Sequence, residues 1–201
     1  MYPKPMKDAF DRIYLDDTWG GGSGPGSDPQ AAAPCLEWVR GQIQPGDSFL
    51  DVGCGDGRLA AVIAPWCAEY TGVELSPVAL EKARQRLPRC LRLLSGEVRD
   101  LPAGEIFDVA LVKDVIQHLP SSEARRLLLD TLTRVRRAVL VVGDLPGSES
   151  WEIQAGEHRP ISPSQLGFRV QRSAAWTVAG NVKAGWVLPG RAPGLSSGTA
   201  G

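Results

Sequence analysis

A glycine-rich segment carries the clearest chemical signal in this chain of 201 residues. Gly53, Gly55 and Gly57 occupy alternate positions directly after a short apolar run that ends at Val52. Glycine permits positive φ angles and lets backbone N–H groups approach a ligand, and a helix that begins here adds a partial positive charge. An ordinary turn between a strand and a helix needs one glycine rather than three. The segment therefore predicts a ligand-binding loop.

The spacing and charge of this loop indicate which ligand it holds. A dinucleotide fingerprint requires G-x-G-x-x-G, whereas this loop reads G-x-G-x-G and has Asp51 and Asp56 beside the glycines. We expect these two carboxylates to repel a pyrophosphate and to suit a ligand that carries an amino group and a sulfonium. Glu74, at the end of the next apolar run, is expected to accept hydrogen bonds from both hydroxyls of a ribose. A solvated acid at a strand end is the alternative for Glu74, and NAD-dependent redox chemistry is a minor alternative for the chain.

Strand and helix patterns alternate around these residues. Apolar runs predict strands at 49–52, 70–75, 90–94, 107–112 and 138–142, and helices are expected at 28–43, 58–66, 77–87 and 121–136. Ser76 is expected to cap the third of these helices, and Ser121 or Ser122 the last. The alternation predicts an α/β fold with a Rossmann-like, doubly wound, mostly parallel seven-stranded sheet. Segments 168–178 and 183–188 predict a C-terminal antiparallel hairpin.

Composition bounds the class of protein and its partners. The 22 Lys and Arg against 23 Asp and Glu give a net charge of -1, so no positive field for nucleic acid is expected. No apolar run has the length of a membrane span and no secretory signal is recognisable, which favours a cytoplasmic protein without membrane contact. The 4 cysteines form no CxxC pair, so we predict free thiols and no metal site.

Over roughly residues 48–142, the sequence resembles the class I S-adenosylmethionine-dependent methyltransferases. The resemblance rests on LDVGCGDG at 50–57 together with Glu74, and residues 95–102 are similar to the adenine-binding turn of the family. Residues 107–114 look like its fourth strand, whose end lies beside the methionine half of the cofactor. The resemblance implies S-adenosylmethionine as cofactor and S-adenosylhomocysteine as product, with Glu97 accepting from the adenine amine and the Val98 N–H meeting the ring. The cofactor-binding residues it implies are Asp51, Gly53, Cys54, Gly55, Gly57, Glu74, Leu75, Glu97, Val98, Lys113, Trp19 and Ser27.

The two ends of the chain resemble a narrower group of small bacterial methyltransferases. Residues 10–14, Trp19-Gly20 and the S-G-P-G-S segment at 23–27 are similar to the start of that group, and residues 156–160 to its segment after the fifth strand. This resemblance implies a glycine-serine lid with Trp19 and Ser27 near the site, and an N-terminal arm without function is the alternative. We therefore predict an arm and lid at 1–30, a methyltransferase domain at 31–189 and a disordered tail at 190–201.

Two histidines and their neighbours are the candidates for chemistry on the acceptor. His118 follows the fourth strand, where an imidazole could take a proton near neutral pH, or could simply pack beside the cofactor. Asp114, four residues earlier, could orient that imidazole, hold a substrate amine or cap a helix. Lys113 could attract an anionic group or pair with an acid. His158 and Arg159 are candidates for binding a substrate carboxylate or phosphate, although a structural role for Arg159 is equally consistent.

The expected function is methyl transfer to an oxygen or nitrogen of a small-molecule acceptor by a monomer or homodimer. Only about 30 residues precede the first helix of the expected domain, which offers no obvious platform for a macromolecule. The alternatives are a methyltransferase that acts on a protein, peptide or RNA, and a non-catalytic cofactor-binding partner subunit.

Overall fold

The computed structural model describes residues 4–16, 28–89, 91–145, 151–153, 156–178 and 181–190. Five α-helices and nine strands occur in these ranges. The helices are α1 (Lys4–Leu15), α2 (Ala33–Arg40), α3 (Ala60–Ile63), α4 (Pro77–Arg86) and α5 (Ser121–Leu132). The strands are β1 (Ser48–Val52), β2 (Glu69–Glu74), β3 (Arg92–Ser95), β4 (Phe107–Lys113), β5 (Val135–Asp144), β6 (Trp151–Ile153), β7 (Gly156–His158), β8 (Arg172–Val178) and β9 (Asn181–Pro189).

Seven of the strands form one mixed sheet in the order β3-β2-β1-β4-β5-β9-β8. The first five strands of this order are parallel, and β9 and β8 add an antiparallel edge. The predicted fold class and the predicted C-terminal hairpin are therefore confirmed. The order reverses between β1 and β4, and the carboxyl ends of parallel strands at such a point form the ligand-binding crevice of open α/β sheets.

Alternation along the central strands builds one core on each face of the sheet. Leu50 and Val52 belong to one buried cluster, whereas Phe49 belongs to the other and stacks on Tyr70 with ring centroids 6.1 Å apart. Successive side chains of a strand point to opposite faces, so a wholly apolar strand needs a cover on both sides. This arrangement fixes β1 in the middle of the fold and presents its carboxyl end to the crevice.

Helix boundaries differ from the sequence expectation where a local or tertiary hydrogen bond intervenes. Asp28 Oδ1 accepts from the backbone N–H groups of Gln30 and Ala31, each at 2.9 Å, so a turn precedes α2, which begins only at residue 33. The expectation that Ser121 or Ser122 caps the last helix is wrong, because Pro120 occupies the cap position. That helix also ends at Leu132 rather than 136, since β5 begins at Val135 to pair with β4.

Three elements were not expected from the sequence. Helix α1 occupies part of the segment interpreted as an arm, and a small antiparallel pair joins β6 to β7. Ser76, by contrast, caps α4 as expected, because its Oγ accepts from the Ala79 N–H at 3.2 Å. No helix among the described residues has the length and hydrophobicity needed to cross a bilayer.

Candidate active site

The glycine loop turns sharply after β1 and has the backbone geometry expected of it. Gly53, Gly55 and Gly57 have φ angles of +76°, +57° and +78°. A Cβ on Gly53 would lie 2.6 Å from Val115 Cγ2, so any side chain there would collide with the segment after β4. Positive φ and close packing both exclude larger residues, which explains why the loop needs several glycines.

Glu74 is fixed by the loop and lies in the crevice that the loop borders. Its Oε2 accepts from the Gly55 N–H at 3.0 Å, and its Oε1 accepts from the Ser76 N–H at 2.8 Å. Burial raises the pKa of Glu74, and these backbone hydrogen bonds oppose the increase. A carboxylate oxygen can accept more than one hydrogen bond, so both oxygens keep capacity for a ligand diol. The solvated-acid alternative does not fit a side chain that is only 9% exposed.

A single cleft collects most of the residues that the sequence singled out. It runs along the carboxyl ends of β1, β2 and β4, and Phe10 and Tyr14 of α1 also line it. Gly55 and Gly57 are absent from its lining and shape the loop beside it. The predicted residues that line the cleft are Asp51, Gly53, Cys54, Glu74, Leu75, Glu97, Val98, Lys113, Asp114 and His118.

The charges near the glycine loop favour a ligand with hydroxyls and a cationic group over a diphosphate. Burial raises the pKa of Asp51 to about 6, although a hydrogen bond from the Tyr70 hydroxyl at 2.6 Å opposes that increase. Asp56 differs from expectation, because its charge is balanced by Arg58 at 3.1 Å and Arg86 at 2.9 Å. Asp51 and Glu74 therefore supply the negative character of this part of the cleft, which matches a ribose and an amino group.

The turn after β3 positions Glu97 at the end of the cleft predicted to hold adenine. The Glu97 N–H donates to Asp100 Oδ2 at 2.8 Å, and the Asp100 N–H donates in return to the Glu97 side chain. These two reciprocal hydrogen bonds order the short 3-10 turn at Val98–Asp100. The Glu97 carboxylate lies 2.6 Å from Arg99 Nη2. Its orientation is therefore fixed by an ion pair, and its contact with an adenine amine stays a prediction.

The end of β4 provides the second half of the cleft. Asp114 has a φ of +54°, and its carboxylate accepts from Gln117 Nε2 at 3.0 Å and pairs with Lys113 and Lys183. His118 lies in a 3-10 turn at Ile116–His118, and its ring meets Phe10 edge-on with centroids 5.8 Å apart. The four-residue spacing of Asp114 and His118 suggests one α-helical turn between them, whereas in the structure Asp114 follows the end of β4 and His118 lies in a 3-10 turn.

The other predicted site residues lie outside the cleft or outside the described ranges. The Arg159 N–H donates to the Gln117 carbonyl at 2.8 Å, and its Nη2 donates to Ser121 Oγ at 3.1 Å, so this arginine ties its loop to the start of α5. The backbone of His158 pairs with Trp151, and its side chain is not among those described. Trp19, Ser27 and the glycine-serine segment also lie outside the described residues, as does the tail from 191.

Three residues at this site were not predicted as site residues from the sequence: Phe10, Tyr14 and Lys183. Phe10 and Tyr14 are spaced four apart on α1, so an amphipathic helical pattern could have identified them. Lys183 comes from β9 and binds Asp114, from which it is 69 positions apart in sequence, and no local pattern reveals this contact.

The comparisons with known proteins cover most of the segments that form this site. Residues 49–138 match the family model described as a methyltransferase domain, which includes the glycine loop, Glu74, Glu97 and the Asp114–His118 segment. The ribosomal protein L11 methyltransferase of Burkholderia thailandensis is 38% identical over 104 residues, which is 50% of this chain and 34% of that protein. The chain therefore spans about a third of the length of the curated relatives it matches.

Solved structures show the same fold over more of the chain. Magnesium protoporphyrin IX methyltransferase from Synechocystis with bound S-adenosylmethionine has a TM-score of 0.62 at 18% identity and covers 81% of this chain and 79% of its own. The N-methyltransferase NodS from Bradyrhizobium japonicum with S-adenosylhomocysteine has a TM-score of 0.67 at 13% identity, with coverage of 93% and 99%. The [4+2]-cyclase SpnF has a TM-score of 0.71 at 17% identity, with coverage of 94% and 97%. The predicted Rossmann-like fold is thus confirmed, and residues 49–138 match the methyltransferase-domain model.

Proposed function

We propose that this chain is an S-adenosylmethionine-dependent methyltransferase that acts on an oxygen or nitrogen of a small-molecule acceptor. One observation carries the proposal: Glu74 is held by the Gly55 and Ser76 N–H groups with its carboxylate in the cleft beside the glycine loop. That arrangement suits a ribose diol, and the raised pKa of the neighbouring Asp51 reports a desolvated carboxylate suited to a cationic ligand. We further propose a cytoplasmic monomer or homodimer.

Each part of the cleft has a separate task in this proposal. S-adenosylmethionine supplies an activated methyl group on a sulfonium when it is bound. Glu74 accepts from the ribose hydroxyls, Glu97 from the adenine amine, and Lys113 with Asp114 faces the amino-acid end. Methyl transfer from a sulfonium depends mainly on positioning, so these contacts contribute most of the rate.

His118 is the candidate base for an acceptor that must lose a proton. It lines the cleft beside Asp114, and an imidazole changes charge near neutral pH. Asp114 does not share this task, because two lysines outweigh the effect of its burial and hold its pKa well below its usual range. Packing of His118 against Phe10 is the alternative role.

Tritiated S-adenosylmethionine tests the proposed acceptor class directly. The protein is incubated with a fractionated small-molecule extract, and label is followed into products that pass a small-pore membrane. We expect transfer with the natural chain and much less with Glu74→Ala, which serves as the matched control. Label confined to macromolecules would contradict the small-molecule assignment.

A protein acceptor is the second candidate because of one specific observation. The similarity to ribosomal protein L11 methyltransferases reaches 38% identity, higher than the identity to the solved structures described above. If the chain acts on a ribosomal protein, purified ribosomes should take up label in the same assay and the small-molecule fractions should not. A non-catalytic partner subunit would instead bind S-adenosylhomocysteine and transfer label to neither.

A further inference from the structure

A buried group of four charges links the cleft to the antiparallel edge of the sheet. Lys183 Nζ lies 2.9 Å from Asp114 Oδ1 and 2.9 Å from Asp144 Oδ1, while Lys113 Nζ pairs with Asp114 Oδ2. The exposed fractions of the Lys113, Lys183 and Asp144 side chains are 11%, 13% and 4%. Two cationic side chains therefore contact two anionic side chains where little of the ion pairs is exposed to solvent.

The register of the sheet creates this group from three separate strands. Lys113 ends β4 and Asp114 directly follows it, Asp144 ends β5, and Lys183 lies directly opposite Asp144 on β9. Asp144 and Lys183 lie beyond the segment that matches the methyltransferase domain model. Lys183 is thus the contribution of the C-terminal hairpin to this group.

Asp114 is the member of this group whose backbone is constrained. Among the described residues other than glycine, it alone has a positive φ, at +54°. Such a conformation persists where the surroundings hold it, and it is frequent at functional sites. Here the Asp114 N–H donates to the Val142 carbonyl at 2.8 Å, and Lys183 and Gln117 bind Oδ1.

Only two of the four charged residues in this group face the cleft. Lys113 and Asp114 line the cleft, whereas Lys183 and Asp144 do not. An ammonium has three donors, so Lys113 can bind Asp114 and still donate to a ligand. Because Lys183 also binds Asp114, Lys113 is not required to balance that carboxylate alone.

We propose that Lys183 is a positioning residue for the amino-acid end of the ligand. It holds Asp114 as a fixed anion, so that Lys113 and Asp114 present one cation and one anion, side by side, to the carboxylate and ammonium of a zwitterion. This inference rests on the proposed function and extends it to a residue of the hairpin. Lys183 itself makes no contact with the ligand.

Two ligands that share an adenosine part separate positioning from general structure. S-adenosylhomocysteine carries the amino-acid end, whereas 5′-methylthioadenosine lacks it. Lys183→Met alone would remove a cation from beside Asp144, whose side chain is only 4% exposed, and is expected to destabilise the fold. The informative variant is therefore the double variant Lys183→Met with Asp144→Asn, compared with Asp144→Asn alone, and Lys183→Arg is the conservative variant.

Calorimetry with these proteins gives a clear result in either direction. We expect the double variant to bind S-adenosylhomocysteine about tenfold more weakly than Asp144→Asn does, and to bind 5′-methylthioadenosine equally well. Lys183→Arg should retain most of the affinity. Equal weakening of both ligands, or no weakening of S-adenosylhomocysteine, would overturn the positioning role. If the natural chain binds neither ligand, the proposed function itself fails, which is a separate outcome.

Discussion

The two ends of the cleft are built in different ways. The adenosine end is local: a hydrogen bond joins the loop after β1 to Glu74, the last residue of β2, over 19 positions, and Ser76 is two residues further on. The amino-acid end is assembled from distant segments, since Asp114 meets Lys183 across 69 positions and His118 meets Phe10 of α1. The adenosine end of this site can therefore be predicted from local sequence patterns, whereas the amino-acid end depends on contacts that only the folded sheet creates.

The largest effect is expected at the adenosine end from Gly55→Val. This glycine has a φ of +57°, a conformation that a β-branched side chain adopts only at high cost, and its N–H holds Glu74. We expect loss of measurable S-adenosylhomocysteine binding by calorimetry. Gly104→Val is the matched control, because Gly104 also has positive φ, at +79°, but has open space around it. Equal loss of binding in the control would show that backbone strain, and not the loop, is responsible.

Glu74→Ala should follow, with a loss of affinity of about a hundredfold. The change removes a charged acceptor for two ligand hydroxyls, and a hydrogen bond to a charged group contributes roughly 1.5–3 kcal/mol. The dissociation constant of S-adenosylhomocysteine is the measurement. Glu74→Gln keeps the shape and should lose less. Normal binding by Glu74→Ala would show that the ribose lies elsewhere.

At the other end of the cleft, His118→Ala tests whether the histidine acts on the acceptor. We expect turnover to fall by about 100-fold, as is typical for loss of a general base, while affinity for S-adenosylhomocysteine changes little. Steady-state kinetics with the acceptor identified by labelling gives the first quantity and calorimetry the second. Phe10→Leu removes the ring that His118 contacts and serves as the control. Equal losses of turnover and affinity in His118→Ala would indicate packing instead.

The smallest expected effect is a pH dependence of stability at the adenosine end. Because burial raises the pKa of Asp51 to about 6, the folded chain keeps a proton that the unfolded chain releases near its ordinary value of about 4. This group therefore makes the free energy of unfolding decrease as pH rises from about 4 to about 6. Denaturant titrations of the ligand-free natural chain and of Asp51→Asn should show a steeper decrease in the natural chain. Parallel curves would mean that Asp51 is not desolvated.

The same contrast explains what could be predicted from the sequence. The order of strands and helices from β1 to β5, the positive φ angles of the glycine loop and the Ser76 cap follow from local patterns, and these agree with the structure. The end of α5 does not follow from local patterns, because the pairing of β5 with β4 decides where this helix must end. The position of Pro120 at the N-cap of α5 was also not predicted.

Ion pairs across the fold were the other feature beyond the reach of the sequence. Asp56 resembled a free carboxylate of the loop, yet Arg86 of α4 reaches it from 30 positions away. Arg159 was a candidate for binding substrate or for a structural role, and its side chain bonds to Ser121, as the structural role requires. Residue types indicate which charges exist, whereas only the packing of helices on the sheet decides which of them remain for a ligand.

A crystal structure of the protein grown with S-adenosylhomocysteine tests the central claim most directly. We predict density for the whole nucleoside along the cleft, with both ribose hydroxyls within hydrogen-bond distance of Glu74 and the amino-acid end beside Lys113 and Asp114. A cleft without the ligand at saturating concentration, or a ribose that does not contact Glu74, would contradict the account.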